Sequence, residues 1–206
     1  MPIEKKATPT EEKTHVEHGI DLPAHMAFID WVEDHPAEAT VEFKATGTTS
    51  TVAGHTESTV GEFVMGDQPK GTDREHTIEF GLPAELEEAM GFTEVSDHCE
   101  AVEAALAGLT ACINGTIEYN AIREGIAVED VTTTVAVPVD TRVLLGIHDV
   151  DRADEMLGDL SIEVQVTGTD LTEAEIDRIK TFPQRSPVFN LLTRAHPSEP
   201  AVHVAT

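Results

Sequence analysis

Positive charge is what this chain lacks most. Its 206 residues hold 13 Lys and Arg against 39 Asp and Glu, a net charge of −26, and no basic run occurs anywhere. Binding to nucleic acid or to an anionic membrane surface needs clustered cations that neutralise phosphates, so neither partner is expected. Long apolar runs are missing too. Nothing approaches the ~18 consecutive apolar residues of a membrane span, and the start, Met1 to Lys13, carries no apolar h-region. A soluble, cytoplasmic protein is expected. The only cysteines are Cys99 and Cys112, too few for a disulfide scaffold, and neither a C-x-x-C pair nor a Cys/His group with zinc spacing occurs. On one continuous helix, thirteen steps of ~1.5 Å set these thiols ~20 Å apart, against a limit of ~7 Å between Cα atoms for a disulfide. They cannot pair within one subunit.

What is abundant is acid, spread over helices and turns and not gathered into a tail. This pattern is similar to that of cytosolic proteins from salt-loving microbes, and it keeps a surface hydrated. The length suits one domain with a full core. Residues 1–19 are polar and charged and are expected to form a disordered tail, and residues 20–206 are expected to form a single domain. Within it, Leu22, Met26 and Ile29 fit a short amphipathic helix over 20–36. Phe28 and Val32 widen its stripe, and Trp31 at the edge serves as a packing anchor. Strands are expected at 40–46, 57–65 and 76–80, with a hairpin or meander at Gly47 after the first. A turn-rich stretch covers 66–71 and a short helix 83–90.

The strongest element is a long helix over 97–125. Asp97 with Glu100 has capping-box spacing, Gly125 suits the left-handed C′ position, and Arg123 lies in the last turn. Val102, Leu106, Leu109, Ile113 and Ile117 form one stripe, while Gly108 and Gly115 let another backbone approach. Strands follow at 126–139 and 161–167, joined by an irregular loop containing His148. Thr172 with Glu175 caps a helix that Pro183 must stop, and Ser186 caps another with Pro187 at its first position. A last edge strand is expected at 201–205. The order is α+β, without the βαβ alternation of a dinucleotide fold.

Five stretches then match a known family in content and order. They are Gly54-His55-Thr56-Glu57-Ser58-Thr59-Val60-Gly61, Glu103 to Cys112 (Glu-Ala-Ala-Leu-Ala-Gly-Leu-Thr-Ala-Cys), Ala121-Ile122-Arg123-Glu124-Gly125-Ile126, Leu144-Leu145-Gly146, and Ser186-Pro187-Val188-Phe189-Asn190-Leu191-Leu192. Across roughly 20–205 the chain resembles the OsmC-like (OsmC/Ohr) family. The resemblance implies antiparallel sheets around a long central helix, in an intertwined homodimer. Many members are thiol-dependent peroxidases that reduce organic hydroperoxides with a cysteine of the long helix, an Arg and a Glu, some with a resolving cysteine. The types suit the chemistry: a thiolate is the nucleophile, a nearby cation lowers its pKa, and a second thiol captures the sulfenic acid.

By this resemblance Cys112 takes the peroxidatic position and Glu103 that of the preceding glutamate, although nine helical steps set the two on opposite faces. Glu57 falls where close relatives carry the activating Arg, beside His55, and Ser186 falls on the resolving position. If Glu57 stands beside Cys112 as the family's Arg does, its negative charge disfavours the thiolate. Arg74, Arg123 and Arg185 are the candidates for a replacement cation. Cys99, beside His98 in the first turn, has no counterpart in the family. Surface histidines are the default for the ten present, and no cofactor or metal is assigned; the one arrangement weighed is His55 with Glu57 and a residue of the long helix. Two readings follow. In one, the dimer has little peroxidase activity and keeps a pocket for a small apolar ligand or an interaction role. In the other, Cys112 is a one-cysteine thiol peroxidase that attacks a small hydroperoxide and is reduced by an external thiol.

Overall fold

The computed structural model describes residues 16–196 and 198–204. In chain order the elements are β1 (Val16–Glu17), β2 (Ile20–Asp21), α1 (Leu22–Asp34), β3 (Val41–Thr49), β4 (Thr56–Met65), β5 (Gln68–Lys70), β6 (His76–Phe80), α2 (Ala84–Met90), α3 (Ala101–Glu124), β7 (Val128–Ala136), β8 (Ser161–Gly168), α4 (Glu173–Ile179) and α5 (Pro187–Thr193). All strand pairs with a defined register are antiparallel. The α+β class stands, with a 24-residue helix as its longest element.

Two compact units are present among the described residues: one made of those up to Lys44 with Gly61–Glu75, the other of Ala45–Val60 and those from His76 on. In the first, β1 pairs with β2, so the described end of the expected tail is paired; residues 1–15 of that tail lie outside the described residues. Asp21 caps α1 by accepting from Ala24 N–H at 3.0 Å. The stripe Leu22, Met26, Ile29 and Val32 is half-buried, as the spacing predicts. Phe28 and Trp31 depart from expectation. They are 51% and 41% exposed and stack on each other and on His35 along the helix flank, with centroids 6.2 and 4.9 Å apart. The angular position of Trp31, off the stripe, carries it to the surface.

In the second unit, α3 lies against the β7–β8 hairpin. Leu109, Ile113, Ile117 and Ala121 from α3 form the core with Ile126, Val128, Val131, Ile179 and Phe182. β8 alternates cleanly, with Ile162, Val164 and Val166 inward. A bulge between Val128 and Asp130 shifts the register of β7, so that Val128 and Val131, three residues apart, both face the core. Thr172 and Glu175 form the expected capping box at α4, and Ser186 caps α5.

Four expectations need correction. α3 begins at Ala101, not 97, and its capping box is Glu100 with Glu103. The backbone before it is already engaged: His98 N–H donates to Leu82 O at 3.2 Å, Gly81 N–H to Cys99 O at 3.3 Å, and Asp97 accepts from Ala84 N–H at the start of α2. Cys99 is therefore outside the helix. The hairpin turn falls at 50–55 rather than at Gly47, which stays within β3 where a Cβ would stand 3.1 Å from Thr56. The stretch 66–71 contains the short strand β5. Residues 201–204 form no strand, and 205 lies outside the described residues.

Glu124 closes the C-terminus of α3 onto α4. It accepts from Arg178 at 2.6 and 2.7 Å and from Arg123 at 2.8 Å. The Arg178 bond, above all, holds its carboxyl at about 2, against an ordinary 4.5. A carboxylate depressed on folding contributes stability above its unfolded pKa, lost as pH falls from 4.5 towards 2. Because the pair is partly solvated, the gain is ~1 kcal/mol. Glu124→Gln is expected to lower the urea-unfolding free energy by that amount at pH 7, with the difference from wild type closing across that window.

Candidate functional site

The residues singled out by sequence fall into three places. The first is α3 itself. Cys112 is half-buried beside core residue Ile113. Glu103 lies nine residues away, ~13 Å along the axis, and its Oε2 accepts from Glu100 N–H at 3.0 Å in the capping box. Its carboxylate serves the helix terminus and not the thiol. Cys99 is exposed, with Sγ 3.6 Å from Glu100 O.

The three candidate cations are each engaged. Arg74 donates to Gly61 O at 2.7 Å, Arg123 bonds Glu124, and Arg185 bonds Asn120 Oδ1 while lying 5.6 Å over the Phe182 ring. Ser186 is fully buried, and its hydroxyl accepts from Phe189 N–H at 3.1 Å. A hydroxyl that caps α5 there is a structural part of the turn.

The second place is a cavity of about 540 Å³ against the N-terminal half of α3. Its walls include Leu82, Leu86, Val102, Leu106, Val139 and Met156, so the first two residues of the α3 stripe line a pocket while the other three fill the core. Glu100 and Glu103 also line it, with carboxylates committed to capping.

The third place is the strand pair β4–β6 with α2. His55, 9% exposed, brings Nε2 to 2.5 Å from Glu87 Oε1, and Glu87 is fully buried. Glu87 Oε2 accepts from Ser96 N–H at 3.0 Å. That backbone bond, ahead of His55, holds the Glu87 carboxyl below its ordinary range despite burial. The His98 ring lies 4.4 Å from that of His55, in space left by Gly81, where a Cβ would stand 2.9 Å from His98 Cγ. Glu57 is exposed on β4, directly opposite Glu79 of β6. Both line a smaller cavity of about 230 Å³ with His55 and His98. The group weighed from sequence, His55 with Glu57 and a residue of the long helix, needs correction: the donors gathered around His55 are Glu87 and His98. Sequence reasoning missed Glu87 because Glu85, Glu87 and Glu88 all read as solvated acids.

Residues 95–200, just over half of the chain, match the family model described as OsmC-like protein. The chain belongs to the OsmC-like family. Among solved structures it is similar to an OsmC like protein from Mycoplasma pneumoniae (17% identity, 73% of this chain and 86% of that one, TM-score 0.49). Others are an organic hydroperoxide resistance protein from Elizabethkingia anophelis (16%, 73% and 87%, 0.46) and one from Legionella pneumophila (18%, 73% and 88%, 0.43). No curated protein gives a significant match. Among the described residues, no helix is long and apolar enough to cross a membrane.

Proposed function

We propose that the chain acts as a homodimer that binds a small, predominantly apolar molecule in the cavity beside α3, and that Cys112 contributes little or no hydroperoxide reduction. The cavity carries this reading: about 540 Å³, walled by Leu82, Leu86, Val102, Leu106, Val139 and Met156, is of the size and chemistry of a small-molecule site. Three observations argue against fast peroxide chemistry. The position where the resemblance expects a cation is Glu57, Glu103 is committed to its capping box, and the candidate arginines have partners elsewhere. The nucleophile of peroxide reduction is the thiolate, and a neighbouring cation is what favours it over the thiol. For the dimer, α3 turns Ala101, Ala105, Ala107, Gly108 and Ala111 outward as a smooth exposed face.

The test pairs two measurements. An uncharged fluorescent probe such as N-phenyl-1-naphthylamine is expected to bind saturably, one per protomer, with Leu106→Glu weakening it at least ~10-fold, since a charge enters an apolar wall. Cumene hydroperoxide consumption with dithiothreitol is expected to be the same for wild type and Cys112→Ala. Rapid consumption abolished by Cys112→Ala would instead establish the one-cysteine peroxidase, with dimedone labelling of Cys112 after peroxide as its signature.

A further inference from the structure

One ring nitrogen each of His55 and His98 and one carboxylate oxygen of Glu87 lie within 4.8 Å of one another. We propose that this group is a binding site for a divalent first-row transition ion of the zinc class, held by two imidazoles and one carboxylate. The donor set is the kind such ions prefer over Mg²⁺ or Ca²⁺, which take oxygen ligands. Bonds of ~2.0–2.2 Å in tetrahedral geometry set donor atoms ~3.3 Å apart, so ring movements of about an ångström complete the set. The ion takes the place of the hydrogen bond between His55 Nε2 and Glu87 Oε1, 2.5 Å apart.

The surroundings are arranged as an outer shell. Ser96 alone orients two of the three donors: its N–H bonds Glu87 Oε2 at 3.0 Å, and its carbonyl lies 3.2 Å from His98 Nδ1. Donation from Nδ1–H leaves Nε2 of His98 with its lone pair, the usual way a ligating histidine is fixed. A fully buried carboxylate is costly in the absence of a cation, and a bound ion compensates it. His55 and His98 line the cavity of about 230 Å³ together with Glu57 and Glu79 from opposing strands, so a further ligand has room beside two of the three donors. Those two carboxylates, in a chain of net charge −26, raise the local cation concentration. Three protein ligands with an open position is the composition of reactive rather than structural zinc sites. If the three residues served only folding, the His55–Glu87 bond would suffice and His98 would be dispensable, and this separates the two outcomes.

Untagged, metal-stripped protein titrated with Zn²⁺ by calorimetry is expected to bind one ion per chain tightly, unaffected by millimolar Mg²⁺ or Ca²⁺. His98→Ala is expected to weaken binding at least ~10-fold while keeping the circular dichroism of the metal-free protein, and zinc X-ray absorption is expected to lose one of two imidazole signatures. Should His98→Ala fail to fold, Glu87→Gln is read by the same loss of affinity, with both imidazole signatures retained. Absence of tight Zn²⁺ binding in the wild type, or binding unchanged in the folded variant, overturns the site.

Discussion

Phe182→Ala is expected to be the most destabilising single truncation in the second unit, lowering the unfolding free energy by ~3–5 kcal/mol and the melting temperature by ~10 °C. Phe182 is fully buried at the short 3₁₀ turn Phe182–Arg185. It joins the α3 stripe to Ile179 in the core. Its removal leaves a cavity that a turn held between α4 and α5 cannot collapse to fill, and cavity cost adds to the lost transfer energy. Arg178 and Arg185 lie 5.4 and 5.6 Å over the same ring. The first also anchors Glu124 and the second Asn120. Losing the ring therefore removes both cation–π contacts and loosens the tie between α3 and the C-terminal helices. Phe182→Leu keeps most of the apolar volume and is expected to restore roughly half of the loss, since the cavity is smaller. Urea unfolding followed by circular dichroism reads both variants; a loss under ~1 kcal/mol for Phe182→Ala would mean that this turn isn't part of the cooperative core.

What the sequence made legible follows the range of the interactions involved. Local chemistry was readable: Gly125 takes the left-handed conformation with Arg123 in the last turn, Thr172 and Glu175 form their box, and Ser186 with Pro187 starts α5. Alternation located β7 and β8 because one face of each is buried against α3. The start of α3 was misread for a non-local reason. Asp97 and Glu100 have the right spacing, but residues 97–99 are bonded to the segment 81–84 from another part of the chain. β5 was hidden because Gln68-Pro69-Lys70 looks like a turn, and a proline is tolerated in so short a strand only at an edge.

The candidate site divides in the same way. The resemblance assigns family positions to Cys112, Glu57 and Ser186 but not what surrounds them, and the hydroxyl of Ser186 caps a helix. The His55–Glu87–His98 group was not legible, because its members come from a strand entry, a short acidic helix and a connecting segment. Only the third dimension shows that Glu87, alone among the acids of α2, points inward.

Gly108→Arg is expected to convert the proposed dimer into folded protomers. Within one protomer, a Cβ at Gly108 meets nothing within 4 Å, so the longer side chain finds open space. Replacing glycine in an exposed helix interior also favours the helix by ~0.5–1 kcal/mol. The protomer is therefore expected to be as stable as wild type or slightly more so, and any loss of assembly reports on the interface alone. At the proposed interface the balance reverses. Two α3 helices that approach over Ala101, Ala105, Gly108 and Ala111 do so because those side chains are small, and an arginine from each copy would hold the backbones apart and bury two like charges. Light scattering after size exclusion, in molar salt to screen the repulsion between chains of net charge −26, is expected to give a dimer for wild type and a protomer for Gly108→Arg at the same micromolar concentration. A wild-type protomer, or a variant that remains dimeric, would rule out assembly through this face of α3. The outcome also bears on the apolar cavity, since Val102 and Leu106 line it from the same helix. If the variant protomer still binds the fluorescent probe with wild-type affinity, one chain supplies the whole cavity; if binding is lost with the dimer, the second copy completes its wall.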